Sequence, residues 1–317
     1  MTAATVDDAG ALMAREHRHV HDRGVPVPTT QLDAATCGVG LSELVSDGFS
    51  GFVARRDERT VGVMCGRTFG GVGFVPAHGL AVAPDAVDPT SVVAELFAAL
   101  APVLVADGAF RVTVDHLDHE GAAAALFDLG FGRGGVFAVR GTSPIDVESA
   151  VEVRVGTADD LDSIAALGHV EFLHRSMPPM YALEPTRTFA ETRSEHERLL
   201  DEGAIHLLAG RDGHDVGLLT IERTSPAPRL CAADTPYIGP TATMPDERRT
   251  GVGRSLLSAA LLWSRERGHE SISVDFDSRN PLSRPFWLGN GFCATGSRVR
   301  RVLLNRATDV EMTRHEG

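Results

Sequence analysis

Residues 245–254 combine two glycines with three arginines where a strand pattern gives way to a helical pattern. Gly251 and Gly253 allow a ligand to approach the backbone closely, because glycine has no side chain. The first N–H groups of a helix lack partners within it, and with the positive end of the helix dipole they suit a pyrophosphate. The arginines can add charge-assisted contacts; they are Arg248, Arg249 and Arg254. The segment therefore predicts a site for a phosphorylated ligand.

Two common nucleotide-binding motifs do not fit this segment. A dinucleotide fingerprint needs a third glycine, but Leu256 stands at that position. A phosphate-binding P-loop needs a lysine after its last glycine, whereas all 30 basic residues of the chain are arginine. The absence of lysine also excludes a pyridoxal Schiff base and the strand lysine of protein kinases.

Helices alternate with strands on both sides of the segment. Caps and apolar spacing predict a helix opened by Thr157, a helix over about 188–202 and a helix that ends at Gly268. The strands predicted for the same half are 151–155, 204–209, 216–222, about 237–244 and 271–276. The helix after the segment has one apolar stripe, formed by Val252, Leu256, Leu257, Ala260 and Leu261. The second half is therefore an α/β domain.

The first half repeats the landmarks of the second half in the same order. Four landmarks recur 160 or 161 residues apart: Pro84 and Pro245, Gly108 and Gly268, Val114-Asp115 and Val274-Asp275, and Gly130-Phe131 and Gly291-Phe292. This spacing indicates a tandem duplication, although any two α/β domains share glycine-ended helices and apolar strands. The first half begins with a helix near Asp7 and has no convincing opening strand. We expect the boundary between Gly141 and Ala150, which gives domains at 1–145 and 150–317.

Two parts of the second half together resemble the coenzyme A site of the GCN5-related N-acetyltransferase (GNAT) superfamily. The family signature, Arg/Gln-x-x-Gly-x-Gly/Ala after a strand that ends near a proline, stands here at 248–253. The family's later asparagine, aromatic residue and Gly-Phe pair match Asn280, Trp287 and Gly291-Phe292. The resemblance covers about residues 151–304 directly, and the first half only through the repeat.

The resemblance implies two tandem GNAT-like domains, each a mixed, largely antiparallel twisted sheet flanked by helices. In the second domain the central strand separates from its neighbour, its backbone pairs with the pantetheine arm of acetyl-CoA, and the amides of 249–254 hold the pyrophosphate. An amine then attacks the thioester carbonyl directly, without an acyl-enzyme, and no metal takes part. The implied cofactor contacts are Thr243, Met244, Arg248, Arg249, Thr250, Gly251, Val252, Gly253, Arg254 and Asn280.

The sequence departs from the family at the general acid. Trp287 stands where the family usually has a tyrosine, and an indole cannot protonate a departing thiolate. Tyr237, one of two tyrosines, opens the strand that should line the site, so it is a candidate acid or a hydrogen-bonding partner of the substrate. Glu222, at the end of the neighbouring strand, is a candidate base, directly or through water. The alternatives are a strand tyrosine with its hydroxyl at the rim and a solvated carboxylate.

The first half lacks the cofactor signature. Residues 87–92, which align with 248–253, contain neither arginine nor glycine, and Asp85 and Asp88 would repel a pyrophosphate. His119 stands opposite Asn280 in the repeat. We therefore expect that this domain shapes the substrate cleft or stabilises the pair, and that it binds no acetyl-CoA.

The composition of the chain limits its possible partners and its location. The net charge of −13 disfavours nucleic-acid partners, which basic domains bind. The four cysteines are widely separated, as in reduced cytoplasmic proteins, and no run of 18 apolar residues could span a membrane. His17 and His21 would share a helix face as metal ligands do, but a solvated helix end is the preferred interpretation, without a metal.

These features predict a cytoplasmic N-acetyltransferase, a monomer or homodimer, that transfers acetyl from acetyl-CoA to a small amine. The loops around 172–187 and 223–236 should line the acceptor site. Two alternatives stay open. One is an acetyltransferase similar to mycothiol synthase, although its usual aromatic hydroxyl before the last Gly-Phe is missing. The other is a non-catalytic acyl-CoA sensor.

Overall fold

The computed structural model describes residues 3–148, 151–181, 187–232 and 234–303. Within these ranges the helices are α1 (Ala3–Asp22), α2 (Ala34–Ser46), α3 (Pro89–Ala106), α4 (Glu120–Asp128), α5 (Leu161–Ser176), α6 (Phe189–Asp201), α7 (Val252–Glu266) and α8 (Ser283–Gly289). The strands are β1 (Ser50–Arg56), β2 (Arg59–Phe69), β3 (Val72–Val75), β4 (Leu80–Val82), β5 (Arg111–Leu117), β6 (Gly132–Gly141), β7 (Glu152–Val155), β8 (Ile205–Arg211), β9 (His214–Glu222), β10 (Tyr237–Thr243), β11 (Ser271–Asp277) and β12 (Cys293–Val302).

Contacts divide the chain into two compact units. The first unit contains the described residues of Met1–Val136 and Ala294–Gly317, and the second contains those of Phe137–Cys293. The division therefore falls inside β6 and at the start of β12. The boundary predicted from the sequence, between Gly141 and Ala150, separates the two repeats and stays a prediction about the duplication.

The first unit has the strand order β1-β2-β3-β5-β12, with β4 paired to β2. β12 runs antiparallel to β5, from Gly296 opposite Leu117 to Val302 opposite Arg111. Arg298 on β12 also donates to both carboxylate oxygens of Asp115 on β5, at 2.7 and 2.8 Å. The last described strand, which the sequence places in the second repeat, therefore completes the sheet of the first unit.

The helix α3 is apolar along its length, with a mean hydropathy of 1.8 over 18 residues. By length and composition alone it is the helix of the described residues that could cross a membrane. Its side chains Val93, Leu96, Leu100 and Leu104 are buried in the core of the first unit. Core helices of soluble proteins also have this composition.

The second unit has the strand order β6-β11-β10-β9-β8-β7. The β8–β9 hairpin and the β9–β10 pair are antiparallel, whereas β10 and β11 are parallel. Helices flank the sheet, so the α/β class with a mixed, largely antiparallel sheet is confirmed. All five residues of the stripe predicted in α7 are buried. The opening helix predicted after Thr157 is present as a 3-10 turn, Ala158–Asp160, followed by α5.

The two faces of this sheet are covered by different helices. Leu218 on β9 and Ala242 on β10 pack with Ile164 and Leu167 of α5. A Cβ on Gly217, the neighbouring residue of β9, would overlap the side chains of α7. Because side chains alternate along a strand, Glu222 shares the α5 face with Leu218.

Candidate active site

The connection from β10 to α7 is held in a defined shape. A single 3-10 turn, Pro245–Glu247, follows β10. The Thr250 hydroxyl donates to the carbonyl oxygen of Glu247 at 2.8 Å, and Arg211 at the end of β8 forms an ion pair with the Glu247 carboxylate. The turn is therefore fixed to the hairpin before the helix begins.

The backbone N–H groups of residues 249–254 follow this turn and are available for hydrogen bonding. Within the described residues none of these six amides donates a hydrogen bond, and the first one that does is Ser255, to the Gly251 carbonyl oxygen at 3.0 Å. Gly251 precedes α7 with φ +94° and provides no side-chain cap. Glycine adopts this left-handed conformation readily. The helix N-terminus therefore offers adjacent N–H groups and the positive dipole end to an anion.

The three arginines of the segment differ in their surroundings. In the described part of the chain, the guanidinium groups of Arg248 and Arg249 form no ion pair or hydrogen bond. Arg254 donates to the backbone carbonyl oxygen of Asp146 at 2.9 Å. Within the described residues, the charges of Arg248 and Arg249, which adjoin these amides in sequence, are therefore not paired, while Arg254 is bonded to the segment that precedes β7.

Beyond Ile238, β10 has an open edge. Only Tyr237 and Ile238 pair with β11, opposite Ser273 and Val274. After a bulge, β10 continues along β9 as far as Thr243. The separation of two parallel strands that the resemblance implies is therefore present.

The two residues predicted to contact the pantetheine arm face opposite ways. The Met244 amide donates to the Val216 carbonyl oxygen at 2.9 Å, so its N–H is used toward β9. Thr243 lies opposite Gly217 in the same antiparallel pairing. Because backbone groups alternate in direction, the N–H and C=O of Thr243 point toward the open edge.

Residues in α8 and in the turn before it have different roles. The Asn280 Oδ1 accepts from the amides of Leu282 and Ser283 at 2.9 and 3.2 Å, so its oxygen is engaged just before and at the start of α8 while its Nδ2 can still donate. The Ser283 hydroxyl is buried and has no partner within the described residues. Trp287 is 4% exposed and packs edge-on against Phe292, so it is a core residue.

At the other end of β10, the Tyr237 hydroxyl donates to the Asp275 carboxylate on β11. Both side chains are half-buried. Sequence reasoning identified Tyr237 but missed Asp275, whose available signal was its place in the repeated Val-Asp pair. Glu222 lies opposite Tyr237 in the β9–β10 register. Its carboxylate covers Gly239, where any Cβ would overlap Oε1.

Burial raises the pKa of Glu222 above its usual value. The carboxylates of Glu195, Asp275 and Glu202 raise this pKa further, and Arg198 opposes them. A half-buried carboxylate with a raised pKa is a suitable proton acceptor. Of the loops predicted to line the acceptor site, residues 182–186 and 233 lie outside the described residues.

In the first unit, backbone amides at the positions equivalent to this site already donate to carboxylates. The amide of Val82, which corresponds to Thr243, donates to the buried carboxylate of Glu16 at 3.0 Å. His119 Nδ1 lies 3.3 Å from the same carboxylate oxygen. At the start of α3, the Asp88 carboxylate accepts from the Ser91 amide at 3.0 Å and places a negative charge where an anion would bind. Sequence reasoning missed Glu16, because it lies on α1, far from the repeat landmarks.

The histidines of α1 have structural contacts. His17 is fully buried, with Nε2 2.9 Å from the Pro28 carbonyl oxygen, so the interpretation as a solvated helix end is wrong for this residue. The cause is that α1 packs against the 3-10 turn Thr29–Leu32 and the sheet. Among the described residues, no group of three or more His, Cys, Asp or Glu side chains is arranged to hold a metal ion.

Comparison with known proteins agrees with this geometry. Residues 170–292 match the acetyltransferase (GNAT) family. A search of curated proteins found no match. A GCN5-related N-acetyltransferase from Sphaerobacter thermophilus is similar in structure, with a TM-score of 0.60 and 14% identity, over 95% of this chain and 94% of that one.

Two further structures have the same fold. A tandem GNAT protein from the clavulanic acid biosynthesis pathway matches with a TM-score of 0.53 and 15% identity, over 95% of this chain and 97% of that one. A GCN5-related glucosamine N-acetyltransferase region of a fungal multi-domain GH3 β-N-acetylglucosaminidase matches with a TM-score of 0.54 and 13% identity, over 93% of this chain and 36% of that one. Residues 170–292 in the second half therefore match the acetyltransferase (GNAT) family, and the chain has the fold seen in a tandem GNAT protein.

Proposed function

We propose that the second unit is an acetyl-CoA-dependent N-acetyltransferase that acts on a small-molecule amine. The observation that carries this proposal is the open edge of β10, which leads directly into the unbonded amides 249–254. An open strand edge followed by a helix N-terminus fits a ligand with an amide-bearing arm and a pyrophosphate. Both parts lie within the family match at 170–292.

The residues of this site fit acetyl-CoA. The Thr243 backbone would pair with the pantetheine arm, and the amides of 249–254 with Arg248 and Arg249 would hold the pyrophosphate. The buried Ser283 hydroxyl, without a partner in the described chain, is a polar group that a bound ligand would satisfy. Acetyl-CoA supplies, when bound, an acetyl thioester whose C–S bond is exchanged for a C–N bond to the amine.

Residues of this chain carry out the proton transfers of the reaction. Glu222 accepts the proton that the amine nitrogen loses, directly or through water, because burial has raised its pKa above the usual value. Tyr237 either protonates the departing thiolate or forms a hydrogen bond with the amine. Trp287 has no part in proton transfer, since its indole is packed in the core.

We infer that the first unit binds no acetyl-CoA. The N–H of Val82, which a pantetheine arm would need, is already bonded to Glu16, and the start of α3 carries the Asp88 carboxylate. A ligand would have to displace a buried carboxylate that also contacts His119.

The proposed setting is the cytoplasm, with a small molecule as the acceptor. The cysteines Cys37, Cys65, Cys231 and Cys293 form no disulfide, as in a reducing compartment. A net charge of −13 disfavours a nucleic-acid substrate.

Release of free CoA from acetyl-CoA tests the proposal. We would assay glucosamine, kanamycin, spermidine, tyramine and lysine as acceptors, with calorimetric binding of acetyl-CoA measured in parallel. We expect binding and amine-dependent release of CoA. Binding without release on any amine supports the sensor function instead, and absence of binding refutes the site.

A further inference from the structure

Three side chains meet where β10 and β11 begin to separate. The last paired residue of β11 is Val274, opposite Ile238, so Asp275 is the first residue past the pairing. The Tyr237 hydroxyl reaches forward to this carboxylate. The Glu222 side chain packs over Gly239, which would be the next residue of β10 to pair with β11 if the pairing continued. The apex of the strand separation is therefore lined by one phenol between two carboxylates.

From this arrangement we infer that Asp275 is a positioning residue, which acts through Tyr237 and makes the phenol oxygen an acceptor for the N–H of the incoming amine. The inference rests on the proposed function for its reaction. It assigns Tyr237 to orienting the amine rather than to protonating the thiolate.

The direction of the Tyr237–Asp275 hydrogen bond determines how the phenol oxygen can bond to a further group. A tyrosine hydroxyl has one hydrogen to donate and lone pairs to accept with. When that hydrogen is donated to Asp275, the oxygen can only accept from any further group. A hydrogen bond to an ionised carboxylate is also stronger than a neutral one, so the phenol keeps this orientation while the amine enters.

The proton balance of the reaction then follows. The nitrogen of a neutral primary amine forms the new bond to the acetyl carbon as the C–S bond breaks. One proton of that nitrogen goes to the Glu222 carboxylate, and the second N–H donates to Tyr237 and remains on the product amide. The thiolate takes its proton from solvent, and Glu222 returns its proton to solvent.

The charged groups around the apex are compatible with this role. Glu195, Glu202 and Arg198, on or just after α6, act on the Glu222 carboxylate together with Asp275. Asp277 lies on the same face of β11 as Asp275, because the two are two positions apart on the strand. Its carboxylate is bound by Arg279 at 3.0 and 2.6 Å, so it provides a matched control on the same strand.

The first experiment needs no acceptor. In a Tyr181→Phe background Tyr237 is the single tyrosine, so its tyrosinate absorbance can be followed alone as the pH rises. Removing a neighbouring negative charge favours the phenolate, so Asp275→Asn should shift the absorbance rise to lower pH. Asp277→Asn should leave it where it is in the parent. An Asp275→Asn titration that coincides with the parent's overturns the contact.

The second experiment is a double-mutant cycle with the amine that gives the highest kcat/KM in the acceptor assay. Asp275→Leu and Tyr237→Phe should each lower kcat/KM for the amine about tenfold or more, and their combination should lower it no further than Tyr237→Phe alone. Asp275→Asn, which retains a carbonyl acceptor, should recover most of the loss. The Kd for acetyl-CoA should not change in any of these variants.

The outcomes separate the two proposals. Losses of kcat/KM that multiply in the double variant would overturn the positioning role, and so would an unchanged kcat/KM for Asp275→Leu. Neither result would contradict the proposed acetyltransferase activity. Failure of every amine in the acceptor assay counts against the proposed function, and the absorbance titration then decides the Tyr237–Asp275 contact by itself.

Discussion

Replacing Gly251 with aspartate tests the proposed pyrophosphate site most directly. A Cβ built on Gly251 has no neighbour nearer than the Glu148 carbonyl oxygen at 3.9 Å, so the side chain has room. The φ of +94° disfavours any residue with a side chain, at a cost of about 1–2 kcal/mol in folding free energy. An aspartate at a helix N-cap offsets part of this cost. We therefore expect Gly251→Asp to fold.

The expected loss is in binding. The new carboxylate takes the position of the pyrophosphate, accepts from the same amides and repels the ligand's negative charge. Losing a charge-assisted hydrogen bond and adding repulsion should together weaken binding by at least ~3 kcal/mol. This is more than about a hundredfold in Kd. Calorimetric titration with CoA measures it.

Two control variants separate charge from backbone strain. Gly251→Asn has the same φ strain and nearly the same size without the charge, so its Kd should rise much less than that of Gly251→Asp. Gly213→Asp places a carboxylate at another glycine of positive φ, +79°, with no atom within 4 Å, and should leave Kd unchanged. A folded Gly251→Asp variant with the parent's Kd would refute the site. Equal losses for aspartate and asparagine would refute the electrostatic reasoning.

Three further results are expected. Calorimetry should give one acetyl-CoA per chain, because Glu16 closes the first unit; two sites would contradict this. At saturating acetyl-CoA, Tyr237→Phe should lower kcat about tenfold to a thousandfold and Trp287→Phe should lower it less, whereas an unchanged kcat for Tyr237→Phe would remove the phenol from the reaction. Burial, with His206 nearby, lowers the pKa of His196 from 6.5 to about 4, so the folded state resists a proton that the unfolded state binds. The free energy of unfolding should be highest above pH 6.5 and fall by about 3 kcal/mol as the pH drops toward 4, less in His196→Gln, as measured by urea titration.

The strand–helix connection at 245–254 could be predicted from the sequence because its parts are adjacent in the chain. Gly251, Gly253 and Arg248 lie within one strand–helix connection, and local rules of glycine conformation and helix termini govern such a connection. The same holds for the buried stripe of α7, whose residues lie within one helix. The α/β class followed from these local patterns, and the structure confirms it.

Contacts between distant residues could be decided only by the tertiary structure. Asp275 meets Tyr237 because β10 and β11 pair for two residues and then separate, and no local pattern predicts where pairing stops. Glu16 reaches Val82 across 66 positions of sequence. A helix face and a strand edge come together there through packing of the whole unit.

The placement of β12 is the clearest example. Its residues belong by sequence to the second repeat, and a strand's pattern specifies which face is buried but not which neighbour it joins. The neighbour is β5, joined by backbone hydrogen bonds and by the Arg298–Asp115 pair, which spans 183 positions. Side-chain periodicity is a local property of the chain. Strand pairing depends on which edge is open when the whole sheet assembles, and only the tertiary structure contains that information.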